Sequence, residues 1–194
     1  MSRNFEMTTS QGAKAIIGAF FFLLFIVSAS HAQTSDKPAG KVYMVDGVEK
    51  KGAGKAADLL WKDGTKAQNL LQVGAGKVIF LNFWATWCPP CRKEIPDIIE
   101  LSKEFSEDEL VVLGVSMDRD DQAFNTVSKF VRLKNIPYPI IVGNDKVAEA
   151  YDGIGAIPTT FIINADGTIN EKIVGGRNKE EFKASILRAL KRKN

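Results

Sequence analysis

Histidine and cysteine are nearly absent from this chain of 194 residues, which has one histidine, His31, and two cysteines, Cys88 and Cys91. A structural zinc site usually draws four Cys or His ligands, and these three residues do not supply them. Internal repeats and low-complexity tracts are missing as well. There is no basic block of the kind that follows a nucleic-acid backbone, and the formal net charge is only +3. Residues 1–32 hold Arg3, Lys14 and Glu6, a net of +1, which leaves +2 for the rest. The terminal group Arg188, Lys191, Arg192 and Lys193 reads as the solvated end of a helix, where cations suit the negative pole of the helix dipole. Neither a nucleic-acid partner nor a cofactor or metal is therefore expected.

The other shortage is of long apolar runs. Residues 15–27 form one, but a membrane-spanning helix needs about 20 residues. Arg3 and Lys14 precede the run and small residues fill 28–32, which is the three-part order of an export signal. Cleavage is expected after Ala32, with Gln33 as the new terminus; the alternative is an uncleaved N-terminal anchor. Cleavage would also remove His31. A Cys-His nucleophile pair, a histidine metal site and a histidine base would then be excluded. The expected location is the periplasm or another extracytoplasmic space, with inner-membrane anchoring as the alternative. The chain is thus divided into a signal or anchor at 1–32, a linker or N-terminal extension at 33–55, and a folded domain at 56–194. Within the extension, 42–48 reads as a hairpin around Asp46 and Gly47.

What the chain does have is the stretch 78–91, VIFLNFWATWCPPC, which runs a buried strand into a Cys-x-x-C pair. Val78, Ile79, Phe80 and Leu81 suit a central strand covered on both faces. Pro89 and Pro90 are tolerated in a first helical turn, where their missing amide protons would have no intrahelical partner. Cys88 is therefore placed at a helix N-cap and Cys91 about one turn further in. The free amides and dipole of a helix N-terminus favour a thiolate, so Cys88 is the expected nucleophile and Cys91 the resolving thiol. Two inert core cysteines are the plain alternative. Exported proteins meet an oxidising compartment, but closing so short a loop with a structural disulfide stabilises little. That comparison favours redox chemistry.

The remaining pattern alternates strands with helices. Residues 58–61 read as a strand, 66–73 as a segment covering the sheet, and 89–105 as an amphipathic helix with Pro96 inside it. Residues 110–116 read as a buried strand, 120–133 as a helix with Phe124, Val127 and Val131 on one face, and 140–142 as a short strand. A brief helix follows at 145–151. Residues 159–164 and 168–174 read as antiparallel neighbours, and 178–191 as a closing helix striped by Phe182, Ile186 and Leu190. The fold class is α/β, a mixed central sheet sandwiched by helices.

NFWATWCPPC, continued by Arg92, Lys93, Glu94, Ile95 and Pro96, resembles the active site of the thioredoxin superfamily, and within it the exported TlpA/ResA-like thiol-disulfide oxidoreductases. Ile157-Pro158-Thr159-Thr160-Phe161 resembles the superfamily's second motif, the cis-proline strand. The resemblance covers about residues 56–192. It implies a thioredoxin-like fold, with 120–142 as the inserted helix-strand unit of that branch. It also implies a redox-active disulfide between Cys88 and Cys91, and a substrate-binding surface formed by Trp87, Ile157 and Pro158. The implied reaction is reduction of disulfides in exported partners, such as apocytochrome c or metal-site assembly factors, with a membrane thiol carrier as reductant.

Two residues depart from the pattern. Asn82 replaces the buried acid of thioredoxins proper, and Thr159 stands where cytochrome-maturation reductases usually carry Glu. With Asn82 unable to shuttle a proton, the resemblance makes Glu94 the candidate acid beside Cys91. Spacing alone favours the other reading, in which Glu94 is a solvated first-turn residue that suits the helix dipole. Trp84 reads as core. Two other functions compete: a peroxiredoxin-like peroxidase, although its Pro-x-x-x-Thr-x-x-Cys site is absent, and a copper chaperone using the two thiols.

Overall fold

A computed structural model describes residues 39–192. The signal or anchor segment 1–32 and the start of the extension lie outside the described residues. In chain order the elements are β1 (Val42–Glu49), β2 (Asp58–Asp63), β3 (Lys66–Asn69), α1 (Leu70–Val73), β4 (Val78–Trp84) and α2 (Pro89–Glu104). They continue with β5 (Leu110–Ser116), α3 (Ala123–Leu133), β6 (Ile140–Val142), α4 (Asp145–Ala150), β7 (Thr159–Ile163), β8 (Ile169–Val174) and α5 (Lys179–Lys191). The strands form one mixed sheet in the order β3-β2-β1-β6-β5-β4-β7-β8. β4 runs parallel to β5 and antiparallel to β7, so the strand that carries the dithiol is paired on both sides.

Side chains alternate along a strand, and β4 shows what that does here. Val78, Phe80 and Trp84 enter one core layer, while Ile79, Leu81 and Phe83 enter the other. The first layer is closed by α2, α3 and α5, which supply Ile95, Ile98, Val127, Val131, Phe182 and Ile186. The second is closed by α1 and α4 through Leu70, Val147 and Ala148. Phe80 meets Phe182 edge to face at 5.0 Å between ring centroids, which seats α5 on β4. Gly114 of β5 is required by close approach, because a Cβ there would lie 3.0 Å from the Trp84 indole nitrogen. Trp84 is accordingly a core residue, as expected, and stacks at a tilt on Phe130 at 5.3 Å.

Four local readings change. Residues 42–48 are not a hairpin: β1 is one strand, antiparallel to β2 and parallel to β6, with a bulge between Val45 and Gly47. The Asp46-Gly47 pair signals a turn when read locally, but pairing with β2 on either side of it along the strand holds it extended as a bulge. The extension at 33–55 therefore contributes an interior strand. Residues 66–73 split into β3, paired with β2, and the single turn α1, capped by the Asn69 side chain. Finally, α3 starts at Ala123, and Phe124 lies on its exposed side rather than with Val127 and Val131. Helix α2 runs unbroken from Pro89 to Glu104 with Pro96 inside it.

Candidate functional site

The site lies where β4 ends and α2 begins, at the carboxyl end of parallel strands, the usual place for a crevice in an open α/β sheet. Cys88 is the N-cap of α2, with extended backbone, and Pro89 and Pro90 open the helix. Its sulfur accepts a hydrogen bond from the Cys91 amide at 3.3 Å. An amide proton aimed at Sγ at a helix N-terminus is the arrangement that stabilises a thiolate once the pair is reduced. The two cysteines are joined as a disulfide, with Cα atoms 5.3 Å apart. Cys88 is 2% exposed and Cys91 is fully buried. In the oxidised protein both sulfurs are thus covered, Cys91 slightly more than Cys88.

Residues 157–161 carry the second motif. The Ile157–Pro158 peptide is cis, and the Ile157 carbonyl oxygen lies 3.8 Å from Cys88 Sγ. Trp87, 65% exposed, shares a shallow, mostly apolar groove with Met117, Arg119, Ile154 and Ile157. Trp87 and Ile157, far apart in sequence, therefore share one groove, with the buried Cys88 sulfur beside the Ile157 carbonyl.

Glu94 is placed elsewhere. It is 3% exposed, which overturns the solvated first-turn reading and supports the buried one. Its Oε1 accepts from Asn82 Nδ2 at 2.8 Å, and its Oε2 from the Arg177 amide at 3.4 Å. Asn82 also donates to Thr160 Oγ1 at 3.0 Å. Asn82 shares the face of β4 that looks toward α2, and it stands directly opposite Thr160 in the β4–β7 register. Burial pushes the Glu94 carboxyl up to about 7, against the pull of those two hydrogen bonds. Glu94 can therefore hold or release a proton near neutral pH, next to the helix turn that carries the dithiol.

Asn82 was legible only as a missing acid, yet it is what binds the acid that replaces it. Thr160 was legible only as a member of the second motif and Arg177 not at all, since their contacts are made across the sheet and from the loop before α5. Among the described residues, no group of three or more His, Cys, Asp or Glu side chains is placed to hold a metal ion.

Residues 53–172 match the model of the AhpC/TSA family. Over 111 residues the chain is 35% identical to the thiol-disulfide oxidoreductase ResA of Bacillus thuringiensis (strain Al Hakam), covering 57% of this chain and 62% of that one. The chain thus spans less than two thirds of that relative. It is 34% identical over 132 residues to ResA of Geobacillus thermodenitrificans (strain NG80-2), covering 68% of this chain and 74% of the relative. Among solved structures, a thiol:disulfide interchange protein of the thioredoxin family from Chlorobium tepidum TLS superposes with a TM-score of 0.62. It has 29% identity to this chain and covers 73% of it and 99% of the Chlorobium chain.

Proposed function

The chain belongs to the AhpC/TSA family and has a thioredoxin-like fold, and from that footing we propose that it is a thiol-disulfide oxidoreductase working as a reductase of protein disulfides. The observation that carries this reading is Cys88 at the N-cap of α2, bonded to Cys91 and aligned with its amide, beneath the Ile157 carbonyl. When the pair is reduced, the Cys88 thiolate attacks one sulfur of a partner's disulfide. A mixed disulfide forms, and the partner's other sulfur leaves as a thiolate that takes up a proton. Cys91, losing its proton, then attacks Cys88 Sγ. The Cys88–Cys91 disulfide closes and the partner leaves as a dithiol, two electrons richer. Glu94 is suited to accept the Cys91 proton, directly or through an intervening group.

The partner's chain would lie along Trp87 and Ile157, with the Ile157 backbone offering the kind of pairing used in strand addition. Exported proteins with disulfides are the proposed substrates, apocytochrome c or metal-site assembly factors among them. A membrane thiol carrier is the proposed source of the two electrons that restore the dithiol. The order of features in residues 1–32 supports action outside the cytoplasm; N-terminal sequencing should find Gln33, and full-length cytoplasmic protein would overturn that location.

An insulin-disulfide reduction assay with dithiothreitol as electron donor tests the function. Turnover that depends on Cys88 is the expected result. Peroxide consumption in place of insulin reduction would support a peroxidase instead, and stoichiometric copper binding by the reduced pair without reductase turnover would support a chaperone.

A further inference from the structure

β4 and β5 run side by side until Trp84 pairs with Ser116, and there the ladder ends. Beyond it, β4 continues through Ala85 and Thr86 toward the dithiol while β5 continues to Met117 and Asp118. The Met117 amide still reaches the Trp84 carbonyl at 2.7 Å. Past that point the backbones part, and the Thr86 amide has no strand partner. Asp118 fills the gap. Its Oδ2 accepts from the Thr86 amide at 3.0 Å and from Ser116 Oγ at 2.6 Å, and its Oδ1 accepts from Thr86 Oγ1 at 2.5 Å. Ser116 Oγ in turn receives the Asp118 amide at 3.2 Å.

Three donors converge on one buried carboxylate, two of them from a residue two positions before Cys88. Charge-assisted hydrogen bonds of this kind are about twice as strong as neutral ones. The exchange reaction described above makes no use of this acid.

We infer that Asp118 is a positioning residue for Cys88. Acting through Thr86, it holds the turn that delivers the sulfur to the N-cap of α2, where the Cys91 amide meets it. The inference rests on Cys88 being the attacking thiol. If the turn is released, Sγ loses its fixed alignment with that amide and the thiolate loses part of its stabilisation.

The test is the pH dependence of Cys88 alkylation by iodoacetamide in the reduced protein, followed by mass spectrometry. Thr86→Val removes the hydroxyl and keeps the Asp118 charge; its midpoint should rise by about half to one pH unit. Thr86→Ser restores the hydroxyl and should return the midpoint to that of wild type. Asp118→Ala should also raise it, although loss of a nearby negative charge would by itself lower it. An upward shift there separates position from charge. Asp118→Asn, which keeps an acceptor for the Thr86 amide, should leave the midpoint at or below wild type.

Arg92, Lys93 and Glu94 on α2 and Arg119 beside the groove are unchanged in all four variants, so they cancel in the comparison. Should Asp118→Ala fail to fold, Thr86→Val decides. Unchanged or lowered midpoints in folded Thr86→Val protein would overturn the inference. Alkylation reports the thiolate whether or not a partner disulfide is turned over. Failure of the wild type to reduce insulin would therefore count against the proposed function and leave the Asp118 comparison readable.

Discussion

Asn82 and Glu94, twelve positions apart, are joined by a 2.8 Å hydrogen bond that spans from the central strand β4 to the first turns of α2. One partner is a neutral amide, so it can donate to the carboxylate without neutralising it. The desolvation that raises the Glu94 pKa is left only partly offset. This pairing gives the site an acid poised near neutrality where the sequence shows an asparagine.

Ionised Glu94 should therefore destabilise the folded protein. Below about 4.5 the carboxyl is neutral in both folded and unfolded chains and there is no penalty; the penalty grows as pH rises and is complete above about 7. Its upper bound is on the order of 3 kcal/mol. In urea unfolding of the oxidised protein, Glu94→Gln should gain stability relative to wild type between pH 4 and pH 8. A difference that stays constant with pH would return Glu94 to an ordinary carboxylate. The same substitution should slow the resolution of mixed disulfides without abolishing it.

The two sulfurs should divide the work. Cys91→Ala should accumulate a mixed disulfide with a partner or with glutathione, whereas Cys88→Ala should not. Each should lose reductase turnover by about two orders of magnitude or more. Non-reducing electrophoresis reads the adducts, and stable adducts through Cys91 would reverse the assignment.

Trp87 and Trp84, three residues apart, should respond in opposite ways. Trp87→Ala removes an exposed groove wall, so stability should change by no more than about 0.5 kcal/mol while kcat/KM for a protein disulfide falls several-fold. Trp84→Ala empties a core position between Gly114 and Phe130 and should cost about 3–5 kcal/mol. Denaturation curves beside reductase assays on both variants check the contrast. Equal losses of stability would mean that Trp87 packs as core.

Helix α5 begins with a reciprocal cap, in which Asn178 accepts from the Glu181 amide and the Glu181 side chain accepts from the Asn178 amide. Asn178→Ala should cost about 1 kcal/mol. The neighbouring Arg177 amide also holds Glu94 and pulls its pKa down, so loosening it should raise that pKa further and make the variant's cost larger at pH 8 than at pH 5. Calorimetry at pH 5 and pH 8 compares the two effects.

Sequence alone determined the parts of this protein that depend on neighbours along the chain. The apolar run of β4, the two prolines after Cys88, the period of α2 and α5 and the turn at 165–167 each state a local backbone preference, and each element stands close to where it is expected. The dithiol was legible for the same reason, since Cys88 and Cys91 lie within one helical turn of each other.

Only the tertiary structure decided what depends on distant partners. Asp46-Gly47 reads as a turn until pairing with β2 holds it extended as a bulge. Glu94 reads from spacing as a solvated first-turn residue, because spacing places it on a helix face without saying that Asn82 and the Arg177 amide will close over it. Asp118 lies just past the strand read at 110–116, and its hold on Thr86 exists because β4 and β5 part at that point. In each case the deciding term is desolvation or long-range pairing. Neither is a property of a residue and its sequence neighbours; both are set when the sheet and its covering helices assemble.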